Sequence, residues 1–284
     1  MEQNSIKGIP YGLTDYTRLA RENYYYVDKT HFIPLIEQFA SYLFLIRPRR
    51  FGKTLLINML AAYYDINNAD RFEELFGEQW IYEHPTSLRA KFMILRFNFS
   101  AVNSTPGRLE ESFEKHCTER FVEFANNYEH LFQPGFREEL MSRTLASERL
   151  DYINSTASRL RLRIYLIIDE YDTPIQQGYQ KDYYDKVIRF MRNLFSGGFK
   201  DNQHLSFGFL TGILRVAKES IFSGMNNLSI NSVLDNKYSA YFGFTADEVM
   251  EMAEYYGAAD KYDEICQWYD GYRFGKTEIF NPWS

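Results

Sequence analysis

Cysteine is almost absent from this sequence. Only Cys117 and Cys266 occur in 284 residues. They lie far apart and match no metal-ligand spacing, so a cysteine-based metal centre is excluded and a reducing compartment fits. Long apolar runs are missing as well. The uninterrupted ones, YLFLI and IYLII, are far too short to span a bilayer. The N-terminal stretch MEQNSIKGIPYG is polar and lacks the apolar segment of a signal peptide. The chain therefore reads as cytoplasmic, with no membrane partner. A basic excess is missing too: 32 Lys and Arg face 38 Asp and Glu, a net charge of −6. That balance removes the global electrostatic footprint of a nucleic-acid binder and leaves only local basic runs such as SRLRLR. No internal repeat, low-complexity tract or Pro/Gly/Ser-rich linker divides the chain.

What remains is ordinary globular material. Hydrophobic residues make up 45% and charged residues 25%, enough for one large α/β domain or a domain with a smaller lid. The 23 Tyr and 24 Phe read as core and surface residues, not as an aromatic binding platform.

Apolar runs alternate with amphipathic stretches. SYLFLI (41–46), KFMILRFNF (91–99), LRIYLIID (162–169) and LSFGFLTG (205–212) read as buried strands. Between them, TLLINMLAAYYD, GRLEESFEKHCTERFVEFANNYEHLF and YYDKVIRFMRNLF read as helices. In TLLINMLAAYYD, Leu55, Leu56, Met59, Leu60 and Tyr63 share one face. Phe32, Ile33 and Ile36 follow Asp28 and Thr30, either of which caps a further helix. This alternation predicts an α/β fold with a parallel central sheet flanked by helices. Past residue 240 the character changes. FTADEVMEMAEYYG carries a capping box, Thr245 with Glu248, and DKYDEICQWYDG follows as a second helix. The expected division is a core over 1–240 and a helical extension ending in a hairpin over 241–284. The ending IFNPWS suggests a piece of a longer protein.

The chemistry concentrates in LFLIRPRRFGKTLLINML (43–60). It ends as a phosphate-binding P-loop does, with Gly-Lys-Thr opening a helix after a strand. Such a loop works because backbone N–H groups at a helix N-terminus, and the helix dipole, face phosphate oxygens. Lys53 is then the phosphate lysine and Thr54 a Mg²⁺ ligand. Arg47, Pro48, Arg49, Arg50, Phe51, Gly52 and Leu55 complete the expected loop. Arg47 stands where the motif has its first glycine. Arg47, Arg49, Arg50 and Lys53 crowd four cations into seven residues, so the favoured reading is that Arg47 supplies charge to a phosphate. The rival is a decayed loop.

The same tetrapeptide recurs at Phe274–Thr277, in WYDGYRFGKTEIF, after a helix and an Asp-Gly turn signal. No strand feeds it and no helix opens after it, so it reads as a hairpin. Further along the core, IYLIIDEYD ends a strand on Asp169 and Glu170. In P-loop ATPases the first carboxylate holds Mg²⁺ and the second polarises the attacking water. Asp172 reads as a cap or surface group. GFLTGILRVAKESIFSG puts Thr211 at a strand end, for contact with the γ-phosphate or water. Arg215 follows it, either as a phosphate-sensing arginine, as a finger supplied across a subunit interface, or as a surface residue.

Several stretches together resemble the bacterial AAA-ATPase-like family, a predicted P-loop group. They are IPYGLTDYTRLARENYYYVDKTHFI, LFLIRPRRFGKTLLINML, LIIDEYDTPI, GFLTGILRVAKESIFSGMNNL, FGFTADEV and YDGYRFG with IFNPWS. The Arg-Pro-Arg-Arg-Phe-Gly-Lys loop resembles that family's own P-loop. The resemblance implies a P-loop NTPase of the additional-strand ATPase type, with ATP and Mg²⁺ as nucleotide and cofactor. Longer members continue into a nuclease-like domain of the PD-(D/E)xK type, so an effector domain is an implied partner; a homo-oligomer is the other expected partner, as the setting in which Arg215 would act across a subunit interface. The expected function is Mg-dependent ATP binding and hydrolysis that switches an attached or partner effector. The alternatives are a degenerate P-loop scaffold without turnover and a nucleic-acid-binding regulatory module.

Overall fold

The computed structural model describes residues 6–39, 42–102, 108–181, 183–199, 205–213, 228–269 and 271–282. Arg215 lies outside the described residues. In chain order the elements run α1 (Tyr16–Arg21), α2 (Phe32–Phe39), β1 (Tyr42–Ile46), α3 (Lys53–Tyr64), α4 (Phe72–Phe76), α5 (Trp80–Glu83) and β2 (Phe92–Asn98). Then come α6 (Leu109–Asn127), α7 (Phe136–Met141), α8 (Ala146–Arg159), β3 (Arg163–Asp169), α9 (Thr173–Gln180), α10 (Tyr184–Phe199) and β4 (Leu205–Gly212). The last are β5 (Leu228–Asn231), α11 (Ala246–Tyr255), α12 (Tyr262–Tyr269), β6 (Tyr272–Phe274) and β7 (Thr277–Ile279).

The first five strands form one sheet in the order β2-β3-β4-β1-β5. All of its pairings are parallel. β4 is thus inserted between β1, which feeds the Gly-Lys-Thr loop, and β3, which ends on Asp169. This is the additional strand that the resemblance implied.

Why these runs form this sheet follows from the period of a strand, which sends successive side chains to opposite faces. Tyr42, Phe44 and Ile46 of β1 and Ile164, Leu166 and Ile168 of β3 enter a core with α6 to α10. Leu43, Leu45, Tyr165 and Ile167 enter a second core with α1 to α5. With both faces buried, strands must be apolar at nearly every position, which is why YLFLI and IYLII show no alternation. α3 is buried almost all round, with Ile57, Ala62 and Tyr64 inside as well as Leu56, Met59, Leu60 and Tyr63.

The extension shares the second core. Phe242, Phe274 and Ile279 pack there with Tyr238, Phe32 and Phe51. Thr245 caps α11 as expected, its amide donating to Glu248 Oε2 at 2.8 Å. The second FGKT lies in an antiparallel hairpin, β6 with β7, turning at Gly275-Lys276. Among the described residues no helix is long and apolar enough to cross a membrane.

Candidate nucleotide site

Parallel α/β sheets offer a crevice beyond the carboxyl ends of their strands, since the loops leaving those ends diverge to opposite faces. Here β1, β4 and β3 lie side by side, and their ends carry the loop 47–52, Thr211 and Asp169. Three segments far apart in the chain therefore converge because of strand order alone.

Asp169 is fully buried, and a buried carboxylate needs compensating donors. The Thr211 hydroxyl donates to its Oδ1 at 2.6 Å and the Thr54 hydroxyl to its Oδ2 at 3.1 Å. The Arg96 guanidinium stands 3.9 Å from the same Oδ2. Arg96, on β2, also binds the Asn58 side chain, and Asn58 Nδ2 donates to the Thr14 carbonyl at 2.5 Å. Burial pushes the Arg96 guanidinium down, and Asp169 opposes that shift. Sequence reasoning passed over both Arg96 and Asn58. The only signal was a charged residue inside the otherwise apolar strand KFMILRFNF.

Gly52 is the N-cap of α3 and holds φ at +76°, a value that favours glycine. A Cβ built there would meet nothing within 4 Å, so the loop surface beside the helix N-terminus is open. Lys53 is buried, and its ammonium donates to the loop's own carbonyls, Arg47 at 3.0 Å and Pro48 at 2.6 Å. Burial pushes it below the ordinary lysine range, against the pull of Asp169, Glu170 and Asp172.

Glu170 is half-buried and faces the same space. Its backbone holds φ at +51°, and its carboxylate accepts from the Thr173 hydroxyl at 3.3 Å. Arg50 in the loop also has positive φ, at +69°. Non-glycine residues held this way cost about 1–3 kcal/mol each and gather at functional sites. Asp172 is not a surface group. It is 1% exposed, precedes α9 at the cap position, and accepts from the Ile213 amide at 2.9 Å and Gln176 Nε2 at 2.8 Å.

Above this floor lies a cavity of about 580 Å³. Arg49 to Leu56 and Glu170 line its base. Segment 9–14, with Tyr25 and Tyr26, forms one wall, and Val249, Met252, Tyr256 and Tyr269 of the extension form another. Lys29 joins the walls, donating to Ala240 O at 2.7 Å and to Glu248 Oε1 at 2.5 Å.

The Arg47 side chain goes elsewhere. It is wholly buried and does not line the cavity. Its guanidinium donates to Ile46 O at 2.9 Å, Asn231 O at 3.3 Å, Asn231 Oδ1 at 2.6 Å and Tyr238 O at 3.4 Å. It also lies over the rings of Phe242 and Phe274, at 5.0 and 5.4 Å. The expectation that its charge reaches a phosphate therefore has no counterpart in this geometry. The loop's exposed cations are Arg49 and Arg50.

The groups fit Mg-nucleotide better than a metal held by protein alone. Among the described residues no group of three His, Cys, Asp or Glu could hold a metal ion. Mg²⁺ is usually held by one or two protein oxygens together with substrate phosphates and water. The Thr54 hydroxyl and Asp169 Oδ2 stand 3.1 Å apart, bonded to each other.

Sheet order and site together define an α/β P-loop NTPase core of the additional-strand type. The chain belongs to the AAA-ATPase-like family, described as predicted AAA-ATPases, which it matches over residues 10–222. A curated relative from Azotobacter chroococcum mcd 1, the "uncharacterized protein in vnfD 5′ region", is 30% identical over 299 residues. That match covers 99% of this chain and 51% of the relative, so the chain spans about half the length of the curated protein it matches. Among solved structures, C. elegans PCH-2 aligns with 89% of this chain and 45% of its own, at 11% identity and a TM-score of 0.31. The fold assignment rests on the sheet order, not on that likeness.

Proposed function

We propose that the chain is a Mg-dependent ATP-binding and ATP-hydrolysing module whose nucleotide state switches an attached or partner effector. One observation carries the reading. Lys53, Thr54 and Glu170 line the base of a cavity of nucleotide size, and behind them the buried Asp169 accepts from the Thr54 and Thr211 hydroxyls, so that three segments come together.

Residues 49–55 present backbone N–H groups and Lys53 to the phosphates of ATP. The apolar walls beyond them accept the base. Thr54 and Asp169 hold Mg²⁺, which when bound neutralises charge on the phosphates. Thr211 fixes the Asp169 carboxylate through its hydroxyl. Glu170 takes the proton of a water as that water's oxygen bonds to the γ-phosphorus and the bond to the bridging oxygen breaks, leaving ADP and phosphate. Arg215 enters as a γ-phosphate contact, in cis or across a homo-oligomer interface. A nuclease-like domain C-terminal to the chain is the proposed effector, and the cytoplasm the proposed location.

The test is a Mg-ATP titration read by thermal shift, followed by phosphate release. A ligand that binds only the folded state raises stability, so a saturable shift with turnover supports the proposal. Absence of any shift removes it. The scaffold reading draws on Lys53 being satisfied by loop carbonyls. Binding without phosphate release would favour a non-hydrolysing module.

A further inference from the structure

Arg47 occupies the position at which a P-loop ordinarily has a glycine that lets the loop wrap its ligand. A buried guanidinium is costly unless every donor direction is answered. Here Nη1 and Nη2 are answered by oxygens of Ile46, of the β5 end and of Tyr238, with two ring faces beside them, while the buried Nε has no hydrogen-bond partner. Burial pushes the group down to about 10, so it stays charged at neutral pH. Such a cage is built for an arginine: planar, forked and weakly hydrated.

The same residue touches the loop chemistry from its other end. The Arg47 carbonyl accepts from the Lys53 ammonium. Four residues on, Phe51 is tied to the extension a second time. Its carbonyl accepts from the Gly243 amide at 3.2 Å, and its ring packs on Tyr272 at 4.8 Å and Phe274 at 5.1 Å. The hairpin is itself anchored, with the Gly275 amide donating to Val233 O at 2.7 Å and Ser239 Oγ bonded to Thr277 Oγ1 at 2.7 Å. There is no slack between hairpin and loop. A Cβ on Gly243 would stand 2.5 Å from Ile279 and 2.9 Å from the Phe51 ring.

We propose that Arg47 is a positioning residue that latches the phosphate-binding loop to the β6–β7 hairpin, so that Phe274 of the second FGKT holds the first in working shape. The inference rests on the nucleotide-site reading above for its functional meaning. A loop with glycine in first place is shaped by its own turn. This loop is shaped by residues 231–280, and the nucleotide site is incomplete without them. Movement of the hairpin therefore changes nucleotide affinity, and bound nucleotide stiffens the hairpin.

The experiment uses Arg47→Lys, Phe274→Leu, the double variant, and Lys276→Ala as a control at an exposed turn. Amide hydrogen exchange of residues 47–53 is measured in nucleotide-free protein, referenced to the amides of β2 and β3 to remove global destabilisation. Dissociation constants for Mg-ATP and Mg-ADP are measured alongside. Phe274→Leu touches no phosphate, yet it should speed exchange across 47–53 and weaken ATP and ADP alike, by about tenfold. Arg47→Lys should do the same, and the double variant should fall short of the product of the two, as residues acting in one unit do. Unchanged loop exchange in Phe274→Leu overturns the latch. So does an Arg47→Lys effect confined to ATP, which would mark a γ-phosphate contact. If wild-type protein binds no nucleotide, the proposed function fails while the exchange measurement still decides the latch.

Discussion

Two stretches of this chain carry the same four residues and do different things. Phe51-Gly52-Lys53-Thr54 follows a buried strand and opens the helix α3. Phe274-Gly275-Lys276-Thr277 is the turn of a hairpin. Both glycines hold positive φ, at +76° and +55°. Both phenylalanines are buried, and they pack on one another. The copies part at the last two residues. Lys53 is buried under loop carbonyls, and Thr54 bonds to Asp169. Lys276 is exposed, and Thr277 bonds to Ser239. The tetrapeptide specifies only a left-handed glycine with a cation and a hydroxyl beyond it. Whether a helix N-terminus faces an open cavity there is decided by the flanking chain.

The comparison can be broken most decisively at the lysines. Lys53→Ala should abolish the Mg-ATP thermal shift, and Lys276→Ala should leave it intact. Equal loss in both would mean that the copies are not functionally distinct. The next largest effect concerns what they share. Phe51→Ala and Phe274→Ala should each cost about 3–5 kcal/mol in urea unfolding, the range for emptying a buried phenylalanine site. A much smaller cost for Phe274 would show that the hairpin packs loosely on the core.

A third effect belongs to the first copy alone, because only that copy faces Glu170. Glu170→Gln should keep nucleotide binding while turnover falls by about two orders of magnitude or more, or roughly 2.7 kcal/mol in the barrier. Wild-type turnover in this variant would remove Glu170 as the base. The smallest effect compares the glycines. Gly52→Ala has room for its methyl and should cost about 1 kcal/mol of stability, from backbone strain. Gly275→Ala should cost more, because its Cβ would stand 2.4 Å from Asn236 Oδ1 and 2.7 Å from Asn236 Cα. A reversal of that order would contradict the local packing.

Much of the fold was legible because it is written in local pattern. β1 to β4 are apolar runs, and the Thr245–Glu248 capping box is a short-range signal; the hairpin at the second FGKT was expected, though it turns at Gly275-Lys276 and not at the Asp-Gly pair. β5 was not foreseen. LSIN is four residues long, sits at the sheet edge and lacks an apolar run. The site divided along the same line. The Gly-Lys-Thr loop and the Asp-Glu strand end are contiguous motifs. Arg47 was legible as a cation in the loop, but its destination was not. Asn231, Tyr238, Phe242 and Phe274 reach it only through tertiary packing. Asp172 stands at the cap position, one of its two expected places, but its burial was not legible, because it comes from the approach of Gly212 and Ile213. Arg96 and Asn58 carry no motif, so only the neighbourhood of β2, β3 and α3 reveals them.

The insertion of β4 between β1 and β3 also sets an order in time. β2 and β3 are sheet neighbours consecutive in the chain. Tyr42, by contrast, waits for Gly208 and Leu228 as its partners. Closing loops of that length is entropically costly, and distant pairings slow folding. As the chain leaves the ribosome, the α6–α8 half can consolidate around β2 and β3 while the strand that feeds the phosphate loop still has open edges. Pulse-labelled refolding should therefore find β1 amides protected after those of β2 and β3, and early β1 protection would refute that sequence of events. The proposed nucleotide site would then mature after the β2–β3 half, so that ATP, if bound there, would report on an assembled sheet rather than help to build one.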